Sequence, residues 1–300
     1  MNSSAANARG ESAVGEVTAE DADQLTAAPG FSLWARQTWA ILRLELQKNF
    51  FNRRALILYL LAFLPVSLLA LLAVFQPPDR EWNDFSLLNI VFTAIYEGLI
   101  LRTVVFFGCA WVFMNLFRGE VVDRSLHYYF LSPVRREVLV LGKYLSGLVT
   151  TLVLFGGATL VCNLLLYFPR GVDATLQYLF AGPGLRYLIT YLLITALACL
   201  GYGAFFLAIG LLVRNPIVPA LLLYGWEWIN FLLPPVLKKV SVIHYLQSLS
   251  PVPMPEGPFA LVAEPTPAWV SIPALLLMTG LLLAYASLQI RWMEIKYGGE

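Results

Sequence analysis

The chain has 300 residues and a formal net charge of +1 at pH 7; 59% of its residues are hydrophobic and only 13% are charged. Soluble domains carry about 25% charged residues, so this composition excludes an ordinary soluble globular protein. The near-neutral charge does not indicate a nucleic-acid partner, and we expect none. The three cysteines, Cys109, Cys162 and Cys199, each lie in an apolar run and predict neither a disulfide framework nor a metal site.

Residues 1–30 differ from the rest of the chain because they are small, polar and acidic, without any aromatic residue. Such a segment cannot bury enough apolar surface to fold, so we predict a disordered cytoplasmic tail. It lacks the basic start and the apolar stretch of a cleavable signal peptide. We therefore expect the first membrane span to act as the targeting signal.

Residues 31–52 predict an amphipathic helix before the first span. On a helical wheel the aromatic and aliphatic side chains form one broad face, and Arg36, Arg43 and Gln47 lie opposite. This pattern is typical of a helix that lies on the inner leaflet, although Glu45 falls on the apolar side. A cytoplasmic extension of the first span is the alternative that the pattern leaves open.

Apolar runs long enough to cross a hydrocarbon core of about 30 Å recur along the chain. Pro216 prevents the fourth and fifth runs from forming one continuous helix, and Trp269 and Trp292 bracket the sixth as interfacial anchors. The outer segments 79–97 and 234–268 keep apolar stretches and predict short helices in the outer interface. We predict an all-α membrane protein, a bundle of six spans at about 55–75, 98–117, 144–168, 187–213, 217–237 and 269–290.

The basic residues of the short loops predict the orientation. Most of them, including Arg53, Arg54, Arg118 and Arg214, fall in segments on the same side as the N-terminus. Cytoplasmic loops of membrane proteins carry an excess of Lys and Arg. We therefore predict that both termini and the loop 118–143 face the cytoplasm.

Catalytic motifs are missing from the sequence. The two histidines, His127 and His244, fall on opposite sides of the predicted membrane, and neither a His-Glu-x-x-His helix nor a Gly-x-Ser-x-Gly elbow is present. A Gly-rich phosphate-binding loop is also missing. We therefore expect no enzymatic activity and no cofactor in this chain.

Three charged residues fall within or beside the predicted spans. Glu97 and Arg102 lie near the start of the second span, where we expect them to anchor the outer interface. Glu227 lies between Trp226 and Trp228 inside the fifth span, where a carboxylate needs a partner, a proton or water. It could line a translocation path with the two tryptophans, or it could be a protonated hydrogen-bonding group between helices.

The loop 118–143 concentrates charges of both signs between two apolar runs. The second-span helix can continue through Glu120 and Arg124, which are spaced to pair along a helix, until Pro133 breaks it. A new helix then enters the third span. An ordinary cytoplasmic loop would explain the basic residues, but neither the acidic residues nor the aromatic run 128–130. A docking surface explains all three features.

This loop resembles that of the membrane subunit of ATP-binding-cassette transporters of the type-2, export-permease class. The resemblance extends over about residues 31–296, with the amphipathic first helix and six spans. Many relatives have Gly-Thr where this chain has Arg124-Ser125. The residues that carry the resemblance in the loop are Glu120, Arg124, Leu126, Ser132, Pro133, Arg135, Arg136, Gly142, Lys143, Tyr144 and Leu145.

The resemblance implies the permease subunit of an ATP-driven exporter in the bacterial inner membrane. Its partners would be membrane lipid, a second permease copy or paralogue, and a separate ATPase that holds ATP and Mg²⁺ and receives the coupling helix of the loop. The expected coupling residues are Glu120, Asp123, Arg124, Tyr128, Tyr129, Phe130, Pro133, Arg135, Arg136 and Lys143, and the expected path residues are Trp226, Glu227 and Trp228.

Three other functions stay open on the sequence. A secondary carrier or channel would use Glu227 as a proton or ion site, and a lipid-acting membrane enzyme would use His127 at the inner surface. An assembly factor or membrane anchor would need neither residue. The sequence does not indicate which substrate is transported.

Overall fold

A computed structural model describes residues 31–52, 55–75, 84–122, 135–213, 215–252 and 266–292, in which every regular element is helical. Tyr96–Val105 and Leu152–Gly156 are π-helical, and Phe168–Arg170 and Asn230–Leu232 are 3₁₀-helical. The predicted tail 1–30 lies outside the described residues. The α-helices are α1 (Phe31–Phe51), α2 (Ala55–Phe75), α3 (Phe85–Ile95), α4 (Phe106–Val122), α5 (Arg136–Thr151), α6 (Gly157–Tyr167), α7 (Val172–Ala181), α8 (Gly184–Leu212), α9 (Ile217–Ile229), α10 (Pro235–Lys238), α11 (Val242–Ser248) and α12 (Ala268–Trp292).

Five helical rods in the described chain are long and apolar enough to cross a membrane. Their mean hydropathy lies between 1.8 and 2.7, as expected for helices whose outer surface meets lipid. The predicted all-α membrane class is thereby confirmed. The rods are Ala55–Phe75, Phe85–Phe117, Arg136–Arg170, Gly184–Leu212 and Ala268–Ile290.

The predicted fifth span, 217–237, is shorter in the structure. Its helix α9 has 13 residues and therefore a length of about 20 Å, less than the hydrocarbon core. The helix ends because Pro234 and Pro235 follow, and Leu233 before them is extended (φ −75°, ψ 147°), as the residue before a proline prefers. Residues 235–252 then form α10 and α11 instead of continuing a span.

The second and third spans are longer than predicted. The second begins at Phe85 and not at 98, because α3 runs through the π-helical turns directly into α4. Asp84 caps its start by accepting a hydrogen bond from the amide of Ser86 (2.9 Å). The third begins at Arg136 and not at 144. The segment 79–97 was predicted as a separate short helix, and its described part is the N-terminal end of a long helical rod.

Buried side-chain hydrogen bonds hold α3 against the rest of the bundle. The Tyr96 hydroxyl donates to the carbonyl of Tyr191 in α8 (3.0 Å). The side-chain amide of Asn89 donates through Nδ2 to the Tyr178 hydroxyl in α7 (2.8 Å). Its side-chain oxygen Oδ1 accepts from the Tyr167 hydroxyl in α6 (2.5 Å). Because these polar groups satisfy one another, α3 can be buried among helices at little cost.

The core of the bundle lies around α8, which packs mainly against α4 and α12. Close approach requires glycine at two points: a Cβ at Gly203 would lie 2.6 Å from the Phe113 ring, and one at Gly147 would lie 2.8 Å from it. The helices α2 and α12 are peripheral, because most of their apolar side chains are exposed. Lipid or a second membrane chain is the natural cover for those surfaces.

Candidate functional sites

The predicted coupling residues divide into two groups. Asp123, Arg124, Tyr128, Tyr129, Phe130 and Pro133 lie outside the described residues, as does His127. Glu120 lies in the last turn of α4. The described flank of the loop therefore consists of the end of α4 and the start of α5, with Arg135, Arg136 and Lys143.

Arg135 and Arg136 connect the start of α5 with two other helices. The guanidinium of Arg135 lies over the ring of Trp34 in α1, 4.8 Å from its centroid. Nη1 of Arg136 donates a hydrogen bond to the carbonyl of Ile290 in α12 (3.0 Å). The basic residues of the predicted coupling loop thus contact the first and last described helices.

Lys143 is wholly buried, with none of its surface exposed in the described chain. Its ammonium donates to Oε1 of Glu45 in α1 (2.9 Å) and to the carbonyl of Leu116 in α4 (3.0 Å). It also lies 5.4 Å from the ring centroid of Phe117. Lys143 thus ties together the three helices at the base of the loop. Its role in coupling to an ATPase stays a prediction.

Glu45 is the acidic residue that the wheel placed on the apolar side of α1. It is buried and also accepts a hydrogen bond from the half-exposed Lys48 (3.2 Å). Burial by itself would raise the pKa of Glu45, but the ammonium groups of Lys143 and Lys48 outweigh it and lower that pKa below its ordinary value. The carboxylate is therefore charged near neutral pH and forms a buried ion pair with Lys143.

The first helix packs closely along α5 beside this pair. A Cβ at Gly142 would lie 3.0 Å from Ile41, so only glycine permits this approach without a shift. The Asn49 amide donates to the Thr150 hydroxyl farther along (3.3 Å). The other side of α1 exposes large apolar residues such as Trp39 and Phe51. The predicted helix 31–52 is therefore present, and within the described residues one of its faces packs on α5 while the other is exposed.

Glu227 is 2% exposed, and its carboxylate accepts three hydrogen bonds. The donors are the hydroxyl of Ser241 (2.6 Å) and the amides of Val242 (3.2 Å) and Ile243 (3.1 Å). These groups lie at the start of α11, where helix amides have no partner inside the helix. Glu227 thus joins α9 to the start of α11 as a hydrogen-bond acceptor. Its role in a translocation path stays a prediction.

The opposite end of α11 is fixed by Glu97. Its carboxylate is buried and accepts a hydrogen bond from the side-chain amide (Nε2) of Gln247 (2.9 Å). The two acidic residues that the sequence placed near the membrane therefore hold one short helix at both ends. The sequence did not indicate Ser241 and Gln247, because 14 and 150 positions separate them from the carboxylates that they bind.

Arg102 lies midway along the rod Phe85–Phe117, not a few residues inside its start. The earlier start of α3 is the reason for the change. Nη1 of Arg102 reaches the backbone carbonyl of Glu227 (3.5 Å), and its guanidinium lies 5.6 Å from the ring centroid of Trp228. Trp226 is half-buried, Glu227 is buried and Trp228 is exposed, and their role as path residues stays a prediction.

Two further observations bear on chemistry. An apolar groove of about 620 Å³ lies between α2 and α6, lined by residues such as Tyr59, Phe63 and Val161. Within the described ranges no group of three or more His, Cys, Asp or Glu side chains could hold a metal ion.

The described chain is all-helical, and its five long apolar helices indicate an integral membrane protein. No protein-family model matches the chain, and the curated proteins and solved structures compared with it also give no match.

Proposed function

We propose that this chain is the permease subunit of an ATP-driven exporter of the type-2 ATP-binding-cassette class. In this proposal α9 is the short fifth of six spans, both termini are cytoplasmic, and α1 lies along the inner leaflet of the bacterial inner membrane. Two permeases, identical or paralogous, work with two ATPase subunits that bind ATP and Mg²⁺. The loop motif and the distribution of basic residues support this reading.

The ion pair of Lys143 with Glu45 is the observation that carries the proposal. It lies at the base of the loop and joins α5 to α1, while the bond to Leu116 joins α5 to α4. The hydrogen bond from Arg136 to the carbonyl of Ile290 joins α12 to α5 as well. A force on the loop would therefore move four helices as one block. Coupling to an ATPase needs such an element, because it must convert contacts that differ between two states into a shift of the bundle.

The secondary-carrier alternative is less well supported. It needs Glu227 to exchange a proton or an ion with water during transport. The carboxylate is instead buried and occupied by three donors at the start of α11. The lipid-acting enzyme depends on His127 and predicts that His127→Ala abolishes activity, whereas a permease should tolerate this change.

The test is co-purification in detergent with the ATP-binding-cassette ATPases of the same genome, followed by ATPase rates with and without this chain. We expect one ATPase to form a stable complex. We expect Glu120→Ala and the double variant Arg135→Glu/Arg136→Glu to uncouple its ATP hydrolysis. The matched control is Arg186→Glu/Lys239→Glu, which reverses two exposed charges on the predicted outer side and should leave coupling intact.

Two results would contradict the proposal. One is that no ATPase binds and the reconstituted protein alone moves protons or ions in a manner that requires Glu227. The other is that the control pair uncouples hydrolysis as strongly as the loop pair, since the effect would then reflect net charge and not a docking surface.

A further inference from the structure

Arg102 is a basic residue in the middle of a predominantly apolar helical rod that also contains the buried Glu97. Its side chain is half-buried, and the Glu227 carboxylate attracts it electrostatically without forming an ion pair within the described residues. It donates one long hydrogen bond, to the carbonyl of Glu227, and its guanidinium lies over the Trp228 ring. Arginine has five N–H donors, so most of them remain for a ligand.

An aromatic row continues from this guanidinium along α9 and α4. The ring centroids of Trp228 and Tyr224 are 6.2 Å apart, and those of Tyr224 and Phe107 are 4.6 Å apart. The Thr103 and Tyr224 hydroxyls lie 3.3 Å from each other, which adds polar atoms beside the rings. Trp228 is 41% exposed, and Tyr224 and Phe107 are half-buried. The row is therefore accessible from outside the described chain.

Space is left open beside this row. A Cβ at Gly98 or at Gly225 would meet no neighbouring atom within 4 Å. Gly98 precedes Arg102 by about one helical turn, and Gly225 follows Tyr224 directly. Arg102 and the aromatic rings thus border a surface that no other part of the described chain covers.

A cation within an apolar span is costly, and such residues usually pair with an opposite charge. A carboxylate, sulfonate or phosphate would supply that charge and could accept two parallel hydrogen bonds from the guanidinium. The aromatic rings would then contact an apolar body attached to the anionic group. A neutral molecule of the same shape would make only the contacts with the aromatic rings and would lack the charged hydrogen bonds with the guanidinium.

We propose that Arg102, Tyr224 and Trp228 form a binding site for an amphipathic anion. The inference rests on the proposed function in one respect, because it identifies this anion with the class of molecule that is exported. Anionic phospholipids carry the same chemistry in their headgroups, so the experiment must separate the two sources.

The first measurement is probe binding to the full-length protein in phosphatidylcholine nanodiscs. Pyrenebutyrate is the anionic probe, and pyrenebutanol is its neutral counterpart of nearly the same shape. We expect the anion to bind at least tenfold more tightly, measured relative to empty nanodiscs. Equal affinities in the wild-type protein would overturn the proposal, and this comparison does not depend on any variant being folded.

The second measurement uses variants of Arg102. Arg102→Gln should weaken pyrenebutyrate binding about tenfold or more and leave the affinity for pyrenebutanol unchanged. Arg102→Lys should lose less of the affinity for pyrenebutyrate, because it keeps the positive charge. Arg186→Gln, the same change at an exposed arginine of α8, is the matched control and should bind both probes as the wild type does. Wild-type affinity for the anion in Arg102→Gln would refute the assignment. Trp228→Leu keeps the Arg102 charge but removes an aromatic ring, so it should weaken the binding of both probes.

Phosphatidylglycerol titrated into the nanodiscs identifies the source of the anion. If it does not displace pyrenebutyrate, the site prefers a soluble amphipathic anion, as an exporter requires. If it displaces the probe, the site is an anionic-lipid site and its link to export is refuted. Because no ATPase is present, failure here leaves the exporter proposal standing. Conversely, retained anion binding by a protein with which no ATPase forms a complex would refute only the exporter.

Discussion

Removal of the Lys143 ammonium should destabilise the bundle, because this group is wholly buried and bonded to two other helices. Lys143→Met keeps much of the side-chain volume but leaves the buried Glu45 carboxylate without its closest described cation and the Leu116 carbonyl without its donor. Breaking a buried ion pair from one side costs about 3–5 kcal/mol. At about 2 °C per kcal/mol, which is the range of large domains, the midpoint of thermal unfolding should fall by about 6–10 °C.

The assay is thermal unfolding in detergent, followed by tryptophan fluorescence at one fixed scan rate. Lys48→Met is the matched control, because it removes an ammonium from the same carboxylate at a half-exposed position and should shift the midpoint far less. The double variant Glu45→Leu/Lys143→Met removes both charges, and we expect it to recover most of the loss. If Lys143→Met has the unfolding midpoint of the wild type, the pair does not hold the helices together. The same conclusion follows if the midpoint of the double variant falls by the sum of the decreases that the two single variants show.

Three further predictions concern other contacts. The pKa of Glu45 is lower in the folded protein than its ordinary value of 4.5, so its charge stabilises the fold above pH 4.5. This stabilisation is lost as the pH falls through the lower, folded pKa. In Glu45→Gln the unfolding midpoint, measured as a function of pH, should therefore fall less steeply on the acid side. Glu227→Leu should cost about 1–3 kcal/mol and increase amide hydrogen exchange in α11, whereas equal exchange would exclude the capping role. Gly203→Ala should lower the unfolding midpoint because its Cβ would meet Phe113, whereas Gly225→Ala, with open space around it, should be neutral or stabilising.

The all-α class and most of the helices could be predicted from the amino-acid sequence. Apolar runs of about 20 residues leave few alternatives to membrane-spanning helices, because backbone groups in lipid must bond within their own segment. The helix 31–52 and the first, fourth and sixth spans lie within a few residues of their predicted bounds. Where a proline broke a run, as Pro234 does after α9, composition alone overestimated the length of the span.

The contacts of the buried charged residues could not be predicted and became visible in the folded structure. Glu45 looked like an error on an apolar face and Lys143 looked like a surface contact, yet they neutralise each other in the interior although 98 positions separate them. Glu227 caps a helix that lies 14 residues farther along the chain. Helical periodicity is a local property that a sequence displays directly. The partner of a buried charge is chosen by helix packing, which brings distant positions together, so no local pattern could have revealed it.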